Sequence, residues 1–134
     1  MTPDLFARVA AGDPDAQYQA MLSTVQMAID RTAPVEESLI YAELFGRLAA
    51  ARDPVGCLRG VAGVMLLSAS YWRELGHIQR ADDREAEAVD ALNSLVTAGD
   101  DQAIVNLEAA LRVISPEALR LARARELTGA EGVD

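Results

Sequence analysis

The sequence predicts an all-α protein of about seven helices packed as antiparallel hairpins. A seven-residue motif occurs three times in altered form, at 10–16, 50–56 and 97–103, and we call each copy a junction. The copies are 40 and 47 residues apart, and such periods are typical of helical repeats. The five prolines stand where helices can begin, because proline suits the first helical position. Apolar residues recur at helical spacing between these marks, and no stretch alternates as a strand does.

Each predicted helix begins at a proline or a capping residue. Asp13, Asp53 and Ser115 each precede a proline, as does Thr2, and such side chains satisfy free N–H groups of a first turn. The predicted helices are 3–11, 14–31, 35–52, 54–75, 83–98, 101–114 and 116–128. The expected stops are Gly12, Gly76, Gly99 and Gly129, since glycine readily adopts the positive φ of a helix end. Asp82 and Asp83 mark the longest predicted loop.

Length and composition predict one domain, 1–128, followed by a disordered tail, 129–134. The chain has 134 residues, 51% of them hydrophobic, which suffices for a core without disulfides. Its formal net charge of -9 disfavours nucleic acid and anionic membranes as partners. All twelve basic residues are Arg and alanine is abundant, which indicates a bacterial genome of high GC content.

The remaining composition predicts a cytoplasmic protein. The single cysteine, Cys57, cannot form an internal disulfide or a cysteine-based metal site. The N-terminus lacks the basic and apolar regions of a signal peptide. The longest apolar stretch, 61–72, is shorter than the roughly 20 residues that span a bilayer, so it predicts a buried core helix containing Tyr71 and Trp72.

The stretch 10–22 resembles the junction between successive Sel1-like repeats, relatives of the tetratricopeptide repeat. It carries the pair Ala10 and Ala11, then Gly12 and Asp13, and finally an Ala-Gln-Tyr segment that begins at Ala16 and is followed by Leu22. The later junctions are more degenerate, with Arg52 in place of the glycine in the second. The resemblance implies a short right-handed solenoid of stacked hairpins that binds proteins and performs no chemistry.

Equivalent positions of three first helices predict a partner-binding groove. Gln19, Arg59 and Asn106 each lie six residues after the aspartate of a junction, and such positions of a solenoid line one surface. Three more polar residues follow on the same helix faces: Gln26, Ser70 and Arg73. Polar groups there can bind a protein or a peptide, with Arg59 and Arg73 as the cationic contacts. The alternative is that these are ordinary solvent-facing positions.

Two other hypotheses belong to different classes. One is a homodimeric structural or regulatory bundle with helix 61–72 at its interface. Gly56, Gly60 and Gly63 share one face of this helix and permit close approach, which predicts tight internal packing, with a dimer through this face as the alternative. The other is a small enzyme using His77, but no nucleophile or orienting partner accompanies this histidine in any motif. The acidic run that begins at Asp82 lacks the calcium-loop pattern and predicts a solvated helix start. No cofactor motif is present, so a non-catalytic binding role is the prediction.

Overall fold

A computed structural model describes residues 2–133 of the chain, with the side chains of 2–126. This part contains seven α-helices and no strand, which confirms the predicted all-α class. The helices are α1 Pro3–Ala10, α2 Pro14–Asp30, α3 Val35–Arg52, α4 Pro54–Glu74, α5 Ile78–Thr97, α6 Asp101–Val113 and α7 Pro116–Val133. α7 continues through Gly129 to Val133, so the predicted helix end at 128 and the predicted stop at Gly129 are wrong, while the domain boundary with its tail at 129–134 stays a prediction.

The chain divides into two compact units, Met1–Val64 and Met65–Asp134. The first contains α1 to α3 and the first half of α4. The second contains the remainder of α4 with α5 to α7. The solenoid and the single domain 1–128 stay predictions, and each unit is described by itself below.

The three junctions share one local structure, an aspartate that caps the helix after it. Asp13 Oδ1 accepts from the backbone N–H of Asp15 at 3.0 Å. Asp53 Oδ1 accepts from Gly56 N–H at 3.1 Å, and Asp100 Oδ1 accepts from Ala103 N–H at 3.3 Å. Each carboxylate thus satisfies an N–H that has no partner within the helix, and it also lies at the positive end of the helix dipole.

Three of the predicted glycine stops are confirmed. Gly12, Gly76 and Gly99 have φ values of +87°, +87° and +92°. After Gly12, the backbone N–H of Asp13 donates a hydrogen bond to Arg8 O, and the residues after the other two glycines form the same bond. This is the glycine-ended helix cap. The space above Gly12 is filled by the Arg52 guanidinium, which an added Cβ would overlap.

In the first unit, α2 and α3 form a hairpin joined by residues 31–34. Met21 and Leu39 are fully buried there. Gly46 on α3 allows close approach, because an added Cβ would overlap the Met21 sulfur. Gly60 on α4 likewise allows the Tyr18 ring of α2 to approach, because an added Cβ would overlap that ring. Of the three α4 glycines, Gly60 therefore has the tight internal packing expected of it.

In the second unit, α5 packs against both α6 and α7. Ala86 and Val89 of α5 form a buried cluster with Ala122 of α7. Leu107, Ile114 and Leu121 pack around this cluster and are partly buried. The core of this unit is therefore made mainly of alanine and medium-sized aliphatic side chains, which lets the helix backbones lie close together.

The predicted loop at Asp82 and Asp83 is wrong, because α5 begins at Ile78. The turn at Gly76 is tight, with the N–H of His77 bonded to Trp72 O at 2.8 Å, so the chain re-enters a helix at once. Asp82 lies inside α5 and is only 7% exposed. An acidic run usually indicates a solvated segment, but here buried carboxylates have partners from neighbouring helices.

Among the described residues, one helix, α4, is long and apolar enough to cross a membrane by the criteria of length and composition. The prediction of a core helix agrees with its burial, since Val61, Met65 and Trp72 are all at most 4% exposed. Tyr71 beside Trp72 is half-buried. Burial of one side of the helix is what a core position requires.

Candidate interaction surfaces

The predicted cationic contact Arg73 is paired within the second unit. Its Nη2 donates to Asp82 Oδ1 at 3.0 Å and to Glu85 Oε1 at 2.8 Å. The two carboxylates are nearly buried, whereas the Arg73 side chain is 36% exposed. The acidic run is thus not a solvated helix start at these two positions, since a buried carboxylate requires such a partner.

Ser115 completes this cluster from the turn between α6 and α7. Its hydroxyl donates to Asp82 Oδ1 at 2.6 Å and accepts from Ala118 N–H at 3.0 Å. Its backbone N–H donates to Glu85 Oε1 at 3.0 Å. Arg73, Asp82, Glu85 and Ser115 form the polar clasp, which joins the end of α4, the second turn of α5 and the start of α7.

The predicted positions Ser70 and Arg73 line one shallow cavity of about 460 Å³. Its other lining residues include Glu74 and Glu85. Ser70 is exposed at its edge. Asn106, the third predicted position in this unit, is half-buried on α6 and accepts from Gln102 Nε2 at 3.4 Å.

In the first unit, the predicted positions Gln19, Gln26 and Arg59 are all exposed. The contact of Tyr18 with Gly60 brings together the helix segments that carry Gln19 and Arg59. Gln26 donates to Asp30 Oδ1 at 2.9 Å. The structure therefore divides the six predicted residues between the units, three in each, and the common groove stays a prediction.

His77 contacts an aromatic ring. The His77 and Trp72 rings are nearly perpendicular, with their centroids 5.5 Å apart. The Arg80 guanidinium lies over the same indole at 4.5 Å from its centroid, a cation–π geometry. His77 and Arg80 thus cover the buried tryptophan at the turn between α4 and α5.

A polar cavity of about 510 Å³ lies between α5 and α7. Asp90 and Arg125 lie in its wall, with Arg125 Nη1 donating to Asp90 Oδ2 at 3.1 Å. Burial raises the pKa of the Asp90 carboxyl above its ordinary value, and the bond from Arg125 only partly opposes this change. Keeping the Asp90 carboxylate charged therefore lowers the stability of the folded protein.

The surface that the sequence reasoning missed is the outer side of α3. Ile40, Tyr41, Leu44 and Leu48 are each between 41% and 49% exposed. The Tyr41 ring stacks on that of the half-buried Phe45, with centroids 6.4 Å apart. These five residues form the α3 surface, an apolar strip two turns long. Contiguous exposed apolar groups of this kind mark interaction sites.

The same helix has a second apolar side facing the core. Leu39, Ala42 and Ala49 are fully buried, and Gly46 lies among them. At about 100° per residue, the buried and exposed apolar groups lie on opposite sides of α3. The excess of apolar residues on α3 is visible in the sequence, but only the burial of one side shows which of them are exposed.

The single thiol lies in the core of the first unit. Cys57 is only 3% exposed. Burial raises its pKa, and the nearby Asp53 and Asp15 carboxylates raise it further. Among the residues that the structure describes, no group of three or more His, Cys, Asp or Glu side chains is placed to hold a metal ion.

Fold and surface together define an all-α protein of helical hairpins with an apolar strip on one exposed helix. No family model, no curated protein and no solved structure matches the chain. The Sel1-like resemblance at the junctions therefore remains a prediction.

Proposed function

We propose that this chain is a non-catalytic protein-interaction module whose contact area is the α3 surface. The observation that carries the proposal is the exposure of one apolar side of α3 while the opposite side is buried in the hairpin with α2. Covering large aliphatic and aromatic groups is favourable by about 25 cal/mol per Å² of apolar area removed from water.

The composition of the α3 surface supports a protein partner. Tyr41 and Phe45 are held by mutual stacking, and rigid aromatic groups are common anchors of protein interfaces. No charged side chain interrupts the strip between Ile40 and Leu48 except Glu43, which is buried, and Arg47 at its edge. The net charge of -9 disfavours an anionic membrane as the surface that covers the strip.

A straight helix face is best matched by another helix. The exposed positions 40, 41, 44 and 48 follow the spacing of anchors in helix-to-helix recognition. The partner is thus expected to present an amphipathic helix, with its apolar side toward α3. The predicted polar positions Gln19, Gln26 and Arg59 would belong to a second contact area of the same unit.

A photo-crosslinking amino acid at Leu44 tests the proposal in cells that make the protein. We expect a crosslinked adduct between position 44 and a protein, because the side chain lies at the middle of the strip. The matched control carries the same amino acid at Leu111, which is 41% exposed on α6 against 45% for Leu44. Absence of any adduct at position 44, or equal adducts at both positions, contradicts the proposal.

A competing dimer interface, the helix 61–72, receives no support from burial. Val61, Met65 and Trp72 are at most 4% exposed within the chain. Gly63 on this helix is open, with nothing within 4 Å of an added Cβ, but a single glycine offers little apolar area. This helix therefore supports a dimer interface less well than the α3 surface does.

A further inference from the structure

We infer that the α3 surface binds the α3 surface of a second copy of this chain, with the two helices antiparallel. The inference rests on the proposed function and specifies its partner. It concerns only α3 of the first unit. Two observations carry it: the spacing of the exposed apolar residues and the distribution of charge along the helix.

The exposed residues have the spacing of a helix-pairing seam. Tyr41, Leu44, Leu48 and Ala51 are all exposed and follow the alternating three- and four-residue steps of a heptad, the pattern by which two helices interlock side chains. Ile40 lies beside this seam. A seam of about three turns is short, so we expect a reversible dimer and not an obligate one.

Charge along α3 favours the antiparallel arrangement. Glu36 and Glu37 lie in its first turn, and Arg52 is at its last residue, where its guanidinium also lies over Gly12 of the same chain. Arg47 near the same end is already paired with Glu43 at 3.6 Å. Two parallel copies would place acid beside acid and Arg beside Arg. Two antiparallel copies place Glu37 of each near Arg52 of the other, as a two-fold interface requires.

The whole-chain charge predicts how salt acts on this dimer. Each copy carries a formal charge of -9, which repels a second copy over long distances. At about 0.15 M salt the screening length falls to about 8 Å, so remote repulsion is reduced more than close pairing. We therefore expect dimerisation to strengthen between low and physiological ionic strength.

Sedimentation velocity of the full chain over about 1–300 µM tests the inference, because the populations of a reversible dimer depend on concentration. The wild type is expected to pass from monomer to dimer within this range. Leu44→Glu should weaken dimerisation at least about tenfold, since it places a charge in the seam. The matched control Leu111→Glu should leave it unchanged. A wild type that stays monomeric throughout, or a Leu44→Glu variant that dimerises like the wild type, overturns the inference.

Exchanging the charges at Glu37 and Arg52 tests the antiparallel arrangement with more than one variant. Glu37→Arg alone and Arg52→Glu alone should each dimerise more weakly than the wild type. The Glu37→Arg, Arg52→Glu double variant should dimerise like the wild type, because each of its antiparallel contacts again joins unlike charges, whereas two parallel copies would still place like charges together. Helix content by circular dichroism checks that all three variants fold. A double variant that dimerises no more strongly than either single variant overturns the antiparallel pairing.

The crosslinking experiment at Leu44 separates this inference from the proposed function. An adduct between two copies of the chain supports both. An adduct with a different protein, from a chain that stays monomeric, overturns the self-pairing and leaves the interaction role standing. No adduct at all overturns both.

Discussion

The Arg73 guanidinium donates a 2.8 Å hydrogen bond to the Glu85 carboxylate, twelve residues further along the chain. It also pairs with Asp82, so one cation serves two nearly buried acids. A buried carboxylate left without its partner retains the full cost of leaving water. The clasp therefore makes the stability of the second unit depend on a residue at the end of α4.

Replacing Arg73 by Ala is expected to lower the free energy of unfolding by about 2 kcal/mol, below the cost of breaking a fully buried pair because the arginine is partly exposed. Chemical denaturation by urea measures the change. Arg112→Ala, at an exposed position of α6, is the control and should have an effect near zero. Equal effects of the two substitutions would show that the clasp contributes nothing specific.

Replacing Ser115 by Ala removes a helix cap and a donor to Asp82 at once. Its hydroxyl accepts from Ala118 N–H and donates to the buried carboxylate. We expect a loss of about 1–2 kcal/mol in the free energy of unfolding. In an Arg73→Ala, Ser115→Ala double variant the losses should not add, because both residues serve Asp82. Strict additivity would mean that they act independently.

Gly60 and Gly63 on α4 form a matched pair for testing close packing. An added Cβ at Gly63 meets nothing within 4 Å, so Gly63→Ala should stabilise the protein by about 0.5–1 kcal/mol through helix propensity. At Gly60 the same methyl overlaps the Tyr18 ring, so Gly60→Ala should destabilise it by about 1–2 kcal/mol. Thermal and urea unfolding measure both variants.

The difference between the effects of Gly60→Ala and Gly63→Ala on stability should disappear when the Tyr18 ring is removed. In a Tyr18→Ser background, Gly60→Ala is expected to behave like Gly63→Ala, because the overlapping ring is gone. A destabilising effect of Gly60→Ala that persists in this background would place its cause elsewhere than in the contact with Tyr18.

Asp90→Asn is expected to raise the free energy of unfolding at pH 7. Burial raises the pKa of Asp90 in the folded state, so the native protein holds this proton more tightly than the unfolded chain does. The charged group thus costs stability above the raised pKa, and the cost is relieved as the pH falls toward the unfolded value. The gain of Asp90→Asn should accordingly shrink to nothing below about pH 3.9, the ordinary pKa of an aspartate.

Urea denaturation at several pH values measures this difference between the variant and the wild type. Glu108→Gln, at an exposed position on α6, serves as the control for removal of one negative charge. A gain for Asp90→Asn that is constant across the pH range, or matched by the control, would contradict the role of burial.

The fold was largely predictable because its signals are local. Proline, a capping aspartate and a glycine stop each act within one turn of chain, so the junctions at Asp13 and Asp100 and the positive φ of Gly12 and Gly99 follow from neighbouring residues. The start of α5 was missed for the opposite reason. Asp82 lies inside a helix because Arg73 and Ser115 neutralise and bind it, and such partners are distant in sequence.

The candidate site was less predictable because polar character is a poor guide to contact. Gln19 and Arg59 are exposed, as solvent-facing residues of any amphipathic helix would be. Tyr41 and Leu44 stand out only when the buried side of α3 is known. Their sequence spacing fits a core face equally well, so the excess of apolar residues on α3 becomes meaningful once Leu39 and Ala42 are seen to fill the core.

The burial of Cys57 gives the chain a native reporter of its own motion. Its thiol is enclosed by the packed helices of the first unit, and its pKa is raised, so a thiol reagent can react only when α4 opens locally. Because the sequence contains one cysteine, each labelled molecule records a single kind of event. The labelling rate therefore measures how often this unit opens locally, without any engineered probe.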